Sequence, residues 1–200
     1  MFAGIIEKRG TLVDKKKQGK QIAFIIESDI WEKPLKRGES MAVNGVCLTV
    51  VRSKNNQFTV QAVPETLAQT TLGNLQVKEP LNLERSLVYG DRVGGHFVLG
   101  HVDGVGRIIR KKSSGKSFNL EIEAPEEVLA FLVPKGSIAV EGISLTIQQI
   151  SKRSIKIAVI PHTAKTTTLG KKNLGDLVNL EADVLSKHLT YLVRPKNERD

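Results

Sequence analysis

The chain has 200 residues, 40% of them hydrophobic and 26% charged, a composition typical of globular domains. It contains no apolar run near the roughly 20 residues that a membrane-spanning helix needs, and its first ten residues lack the features of a secretion signal. The net charge of +9 would suit nucleic-acid binding, but aromatic residues are only 4%, and basic clusters at 15–20, 110–116 and 171–172 fall where turns are expected. The lone Cys47 cannot form an internal disulfide, which suits a reducing cytoplasm.

The first half of the chain predicts short strands separated by turns. Stretches rich in Val, Ile, Phe and Thr favour strands at residues 21–27, 41–51 and 57–63. Residues 55–56 are both Asn, which tolerates positive φ, and they predict a hairpin turn. Residues 27–36 are predicted to form a short helix.

The second half repeats this layout, with strands predicted at residues 117–124, 137–150 and 154–160. A helix is expected at 125–133, which has Pro in its first turn and two glutamates near its positive end. Residues 85–100 connect the halves. So many short strands indicate an all-β chain, and units this small favour closed antiparallel barrels that leave no exposed edges.

The end of the chain predicts one more helix, at residues 184–193. Its leucines at 185, 189 and 192 share one helical face. So short a helix is unstable alone and needs a surface to pack against. Residues 194–200 are expected to be frayed.

An internal repeat with an offset of 97 positions runs through the chain. Residues 39–50 and 136–147 share six of twelve residues, and residues 64–73 and 161–170 share six of ten. Asn-Leu-Glu at 82–84 recurs at 179–181. Three blocks in one register indicate two copies of one folding unit.

The two copies differ where chemistry could occur. Cys47 in the first copy is replaced by Ser144 in the second, inside otherwise similar strands. Alternation along a strand places Cys47 and Thr49 on one face, and likewise Ser144 and Thr146. These residues could equally be small residues that fill a strand surface.

A second exchange replaces Asn44 by Glu141, each before a glycine, so that only the second copy has an ionisable group there. Both could simply be turn residues.

The string GGHFVLGH at residues 94–101 is the most unusual in the chain. Its glycines allow close backbone approach to a ligand. The spacing of His96 and His101 fits neither one face of a helix nor one face of a strand, and no other Cys/His cluster supplies ligands, so we expect no metal site. A hydrogen-bonding or proton-transfer histidine is the functional interpretation, and a histidine that caps a linker turn is the structural one.

Three threonines recur at matching positions in the two copies. Thr66, Thr70 and Thr71 match residues 163, 167 and 168, and they predict either strand ends and helix caps or a hydroxyl-rich rim for a polyhydroxylated ligand. Asp183, just before the last helix, is placed as an N-cap.

Five motifs carry a family resemblance: MFAGI at the start, NGVCLTV, GGHFVLGH, the echo EGISLTI and the paired TTLG blocks. Together they resemble riboflavin synthase of the alpha-chain type over residues 1–193. The resemblance implies two tandem six-stranded Greek-key barrels, with domains at residues 1–97 and 98–184 and a trimerisation helix and tail at 185–200. It also implies a cofactor-independent dismutation of two 6,7-dimethyl-8-ribityllumazine molecules, an active site between barrels of neighbouring subunits in a cytoplasmic homotrimer, and association with lumazine synthase.

The resemblance further implies a set of site residues. Candidates for catalysis are Ser40, Cys47, His96, His101, Glu141, Ser144 and Asp183. Ligand contacts are expected from Phe2, Gly4, Ile5, Ile6, Cys47, Leu48, Thr49, Gln61, Ala62, Val63, Pro64, Glu65, Thr66, Gly100, His101, Val102, Lys135, Ser144, Leu145, Thr146, Ile160, Pro161, His162, Thr163, Ala164 and Lys165. The nucleophile is either Cys47 or a bound water, and either His101 or a carboxylate moves the methyl proton. The chain departs from the family at Ala3, where Thr is frequent, and at Glu141, where Asp is frequent.

Two other functions compete with this interpretation. A non-catalytic relative would bind a lumazine or flavin without chemistry, but such relatives lose the GGHxxxGH string that this chain keeps. A basic barrel that binds nucleic acid is favoured only by the net charge.

Overall fold

The computed structural model describes residues 1–193, so the fraying predicted for residues 194–200 lies outside the described chain. Its strands form two closed antiparallel barrels of six strands each. The first contains β1 (Lys8–Gln18), β2 (Gln21–Ser28), β3 (Ser40–Val43), β4 (Val46–Lys54), β5 (Gln57–Ala62) and β6 (Pro80–Arg85). Around the barrel they follow the Greek-key order β1-β2-β5-β4-β3-β6, which confirms the predicted all-β fold.

The second barrel has the same topology. It contains β7 (Gly104–Ser114), β8 (Ser117–Glu123), β9 (Ser137–Val140), β10 (Ile143–Ile150), β11 (Ser154–Val159) and β12 (Leu177–Ala182). Each barrel encloses its own core, because alternate strand residues point inward. Phe24 and Phe58 lie in the first core, while Ile122 and Ile157 lie in the second.

Within residues 1–193, four α-helices connect or follow the strands. They are α1 (Pro64–Gln69), α2 (Glu126–Leu129), α3 (Pro161–Thr166) and α4 (Val184–Val193). The predicted C-terminal helix is confirmed by α4, whereas α2 covers only part of the predicted 125–133. Both α1 and α3 were missed by the sequence analysis; each is followed by a 3₁₀ turn, at Thr71–Asn74 and Thr168–Lys171. None of the helices in residues 1–193 is long and apolar enough to cross a membrane.

The predicted helix at residues 27–36 was wrong. Strand β2 continues to Ser28, and residues 29–39 form an irregular connection. Its Trp31 and Leu35 are buried in the first core, so their spacing of four reflects packing from a loop. Pro34 and Gly38 disfavour a continuous helix there.

The basic clusters lie differently from the sequence prediction. Most of the residues at 15–20 and 110–116 belong to β1 and β7, at the ends next to the two-residue hairpin turns, and only Gly19, Lys20, Gly115 and Lys116 form the turns. Ladder partners hold them there: Lys15 pairs with Phe24, and Lys111 with Leu120. Their side chains are mostly exposed, as solvated charge requires.

The two barrels meet around an approximate two-fold axis. Asn82 Nδ2 donates to the Glu141 carbonyl at 2.9 Å, and Asn179 Nδ2 donates to the Asn44 carbonyl at the same distance. The turn glycines Gly45 and Gly142 pack against each other at the centre of this contact. The Asn-Leu-Glu repeat therefore begins with the residue that joins the barrels.

Candidate functional site

Two chain segments outside the barrels cross from one barrel to the other. Residues 2–6 precede β1, but the Gly4 carbonyl accepts a hydrogen bond of 2.8 Å from Ser144 N in the second barrel. Residues 98–102 precede β7, but the Gly100 carbonyl accepts a hydrogen bond of 2.9 Å from Cys47 N in the first barrel. Phe2 and Val98 bridge the two segments in antiparallel fashion. Each barrel therefore borrows a segment that belongs in sequence to its partner.

Because these segments cross between the barrels, the predicted site residues lie in two groups. The Cys47 group combines Cys47–Thr49 on β4, residues 61–66 at the end of β5 and in α1, and residues 100–102. Leu48 is buried in the barrel core, while Cys47 is half-buried and Thr49 exposed, which confirms the predicted alternation. Ser40 lies opposite Thr49 in the ladder, and His101 is exposed beside Gly100.

The Ser144 group combines residues 144–146 on β10, residues 160–165 at the end of β11 and in α3, and residues 4–6. Lys135 belongs here too, because its backbone N–H donates to the Ile147 carbonyl at 3.1 Å. A hydrogen bond of 2.7 Å joins His96 Nδ1 and Ser144 Oγ. Here a histidine and a hydroxyl are hydrogen-bonded, whereas in the Cys47 group His101 is exposed and follows Gly100, whose carbonyl accepts from Cys47 N.

His96 is buried, and its Nε2 atom has no hydrogen-bond partner among residues 1–193. Burial lowers the pKa of its imidazole, and the nearby charge of Asp183 opposes this shift. Asp183 also accepts a hydrogen bond of 3.0 Å from Leu185 N at the start of α4, so the predicted N-cap is confirmed. A neutral imidazole held against a hydroxyl can move a proton in either direction.

Glu141 is fully buried at the contact between the barrels rather than at the surface of either group. Its Oε1 accepts from Asn179 N at 2.7 Å, as Asn44 Oδ1 accepts from Asn82 N at 2.8 Å, so both are turn residues with the same backbone role. Burial raises the pKa of Glu141, which the charge of Lys172 opposes.

The replacement of Asn44 by Glu141 is accompanied by a second substitution between the copies. Lys172 occupies the position that Leu75 has in the first copy, and its Nζ lies 3.5 Å from Glu141 Oε2. The first copy thus has Asn44 with Leu75, and the second has an acid with a base. The catalytic role predicted for Glu141 finds no support in these contacts, which instead describe a buried ion pair.

The threonines are mainly structural. Thr70 Oγ1 donates to the Thr66 carbonyl at 2.6 Å, and Thr167 does the same to Thr163. Thr71 and Thr168 are buried, and their backbone N–H groups donate to Asn179 and Asn82 respectively. Of the predicted hydroxyl rim, only the half-buried Thr66 and Thr163 keep access to a ligand.

Some predicted contacts are buried. Phe2 is packed between the barrels with Ala42, Val98 and Ala139, so it supports the site from beneath. Leu145 points into the second core, as Leu48 does into the first, and these two can reach a ligand through backbone atoms. The exposed apolar predictions include Ile5, Val63 and Ile160.

Two cavities lie away from both groups. One of about 860 Å³ lies beside α2 and includes Arg107, Glu126 and Arg153. Another of about 400 Å³ lies at the contact between the barrels and includes Thr71, Thr168 and Lys172. Neither of these cavities is lined by Cys47 or Ser144.

Two functional candidates were missed. Glu84 and Glu181, the last residues of the repeated Asn-Leu-Glu, are buried at 4% and 2% exposure. Glu84 Oε1 accepts from Ala3 N at 2.8 Å, while Glu181 accepts from Leu99 N at 2.7 Å and from Gly100 N at 2.9 Å. Burial raises the pKa of each to about 7, although the amides that face them lower it. The repeated glutamate was the available signal.

Comparison with known proteins agrees with this arrangement. The lumazine-binding domain family matches residues 3–86 and 99–183. The riboflavin synthase of Actinobacillus pleuropneumoniae is 39% identical over 98% of this chain and 91% of its own length, and that of Bacillus subtilis is 39% identical over 99% and 92%. A crystal structure of LumP complexed with riboflavin has a TM-score of 0.82 at 26% identity, covering 91% of this chain and 99% of LumP. The chain therefore belongs to the riboflavin synthase family and contains two lumazine-binding domains.

Proposed function

We propose that this chain is a riboflavin synthase that converts two molecules of 6,7-dimethyl-8-ribityllumazine into riboflavin and 5-amino-6-(D-ribitylamino)uracil. The observation that carries the proposal is the pair of similar residue groups around Cys47 and Ser144, within a chain of this family. Two identical substrates need two similar sites, and their different fates need sites that differ chemically. Cys47 and an exposed His101 against Ser144 and a buried His96 supply that difference.

The reaction needs no cofactor as oxidant or reductant, because the four-carbon unit that leaves one lumazine is gained by the other. Cys47 or a water held beside it adds to the ring of one lumazine. His101, or a carboxylate, removes a proton from the methyl group of the other. Backbone N–H groups and the hydroxyls of Thr49 and Thr146 stabilise the resulting anion.

The active form that we propose is a homotrimer in which the first barrel of one subunit faces the second barrel of its neighbour. Helix α4 supports this assembly, because it is ten residues long and its leucines 185 and 189 are 57% and 63% exposed. A short helix with an open apolar face gains stability by packing against another surface. Pairing of the two sites across subunits would also exclude water from the reaction.

The direct test is incubation of the purified protein with 6,7-dimethyl-8-ribityllumazine, with no added cofactor, while riboflavin absorbance is followed. Formation of one molecule of 5-amino-6-(D-ribitylamino)uracil for each riboflavin supports the proposal, and folded protein without turnover refutes it. Cys47→Ser then separates the two nucleophiles. A large loss of turnover identifies Cys47, whereas near-full turnover identifies water.

A second candidate is a protein that binds lumazine or flavin without chemistry. It is favoured by the likeness to LumP, which was crystallised with the lumazine, with riboflavin and with flavin mononucleotide. Tight binding of 6,7-dimethyl-8-ribityllumazine without product would support it. The greater identity to riboflavin synthases, 39% against 26%, favours the enzyme. We also place the protein in the cytoplasm, and co-purification would test the predicted association with lumazine synthase.

A further inference from the structure

Glu84 and Glu181 lie where carboxylates are costly. Both are almost fully buried at the ends of β6 and β12, and no basic side chain among residues 1–193 lies within 4.0 Å of either. A buried carboxyl without a counterion is retained only when hydrogen bonds stabilise it. In both cases the donors are backbone N–H groups of a crossing segment rather than of the barrel itself.

The contacts of each crossing segment link opposite barrels. Glu181 of the second barrel holds Leu99 and Gly100, and the next contact of Gly100 is the hydrogen bond from Cys47 N in the first barrel. The segment lies close, since a methyl group on Gly100 would be 2.6 Å from Cys47 Cβ.

The first barrel mirrors this chain of contacts. Glu84 holds Ala3, and the adjacent Gly4 accepts the hydrogen bond from Ser144 N. Each glutamate therefore sets the backbone that lies against the site of the other barrel.

We propose that Glu84 and Glu181 are cross-barrel positioning residues, each of which fixes the backbone segment that completes the ligand site of the opposite barrel. The inference rests on the proposed function, because it assigns the residues that shape its two lumazine sites. Glu181 holds residues 100–102 at the Cys47 site, and Glu84 holds residues 4–6 at the Ser144 site. Neither side chain touches substrate.

The lone cysteine gives a test that does not depend on turnover. Glu181→Leu removes both acceptors, so the segment over Cys47 should open more readily and the alkylation rate of Cys47 by iodoacetamide should rise roughly tenfold or more. Glu84→Leu is the matched control. It releases Ala3, which is linked to the segment over Cys47 through the neighbouring Phe2–Val98 bridge, so the rate at Cys47 should rise far less than in Glu181→Leu.

Moving the single cysteine from position 47 to position 144 should reverse the expected pattern of alkylation rates. In a Cys47→Ser, Ser144→Cys background, Glu84→Leu should raise the alkylation rate and Glu181→Leu should not. Three results would overturn the proposal: equal increases in alkylation rate from both glutamate variants, an increase only at a cysteine in the same barrel as the substituted glutamate, or no increase at all. If a Leu variant fails to fold, the corresponding Gln variant should give the same crossed pattern with smaller changes.

Turnover supplies a separate readout. With lumazine as substrate, each variant should raise KM more than it lowers kcat, because the segments are set before the ligand binds; a fall in kcat alone would contradict positioning. If the wild type has no turnover, the proposed function fails, while the alkylation pattern, measured without substrate, still decides the positioning role.

Discussion

The buried ion pair of the second copy gives a sharp prediction, because the first copy provides its neutral equivalent. Glu141 is completely buried, and its partner Lys172, with 23% of its side chain exposed, lies at 3.5 Å. Removal of one partner from a buried pair costs about 3–5 kcal/mol in unfolding free energy. Since Lys172 is partly solvated and the stranded carboxyl can bind a proton, we expect Lys172→Leu to cost about 3 kcal/mol, the lower end of that range.

The double variant Glu141→Asn, Lys172→Leu should recover most of this loss. It recreates the pairing of Asn44 with Leu75, and the introduced amide oxygen could accept from Asn179 N as Asn44 Oδ1 accepts from Asn82 N. We expect the double variant to lie within about 1 kcal/mol of wild type, so that it recovers about 2 kcal/mol of the loss caused by Lys172→Leu.

Urea unfolding at pH 7, followed by circular dichroism, measures both quantities. A stabilising role for this ion pair is refuted if Lys172→Leu costs less than about 1 kcal/mol, or if the double variant is no more stable than Lys172→Leu. Turnover of the double variant also tests the sequence prediction for Glu141. Retained activity would assign this residue to structure alone, and complete loss in a stable protein would restore it to the chemistry.

Three further predictions follow from single contacts. Gly95→Ala should lower the melting temperature and turnover, because its new methyl would clash with the Ala3 carbonyl oxygen. Gly94→Ala is the control and should be nearly neutral, since its methyl would meet Ile5 side-chain carbons at 3.4 Å and beyond. Equal losses in the two variants would contradict this prediction. Leu185→Asp with Leu189→Asp should give monomers on a sizing column, and an unchanged trimer would refute the role of α4. Burial raises the pKa of Glu181 from 4.5 to about 7, so between these pH values the folded protein keeps a proton that the unfolded chain loses. The contribution of Glu181 to the free energy of unfolding should therefore fall by up to about 3 kcal/mol as the pH rises from 4.5 to 7. Urea unfolding of Glu181→Gln over this pH range should show a correspondingly shallower decline, and an unchanged slope would contradict it.

The sequence predicted those parts of the fold that depend on local pattern. Val, Ile and Thr alternation located most strands of both barrels, and the repeat identified the duplication. Strands β1, β6, β7 and β12 were not predicted. In β1 and β7, Lys15 and Arg110 mark stretches whose charged ends are exposed and are paired in the ladders. The helix predicted at residues 27–36 was wrong, because these residues include a loop that closes the barrel and buries Trp31 and Leu35 in its core.

The candidate site was predictable as a set of residues but not as two groups. Motifs placed Cys47 and Ser144 at equivalent positions, yet only long-range contacts show that residues 100–102 lie with the first and residues 4–6 with the second. The exchange of Asn44 for Glu141 was visible and its compensation by Lys172 was equally visible in the alignment of the two copies. The contacts of Glu141 show its turn role and its pairing with Lys172, while its catalytic role stays a prediction.

The crossing segments mean that the unit that was duplicated and the unit that binds are different stretches of chain. The repeat divides the polypeptide near its middle, whereas each proposed site takes residues from both halves. A chain cut between the copies, or a single copy expressed alone, would carry a complete barrel with an unfinished ligand surface. After duplication, neither half could be lost or evolve freely, because a substitution in the last strand of one barrel alters the binding surface of the other.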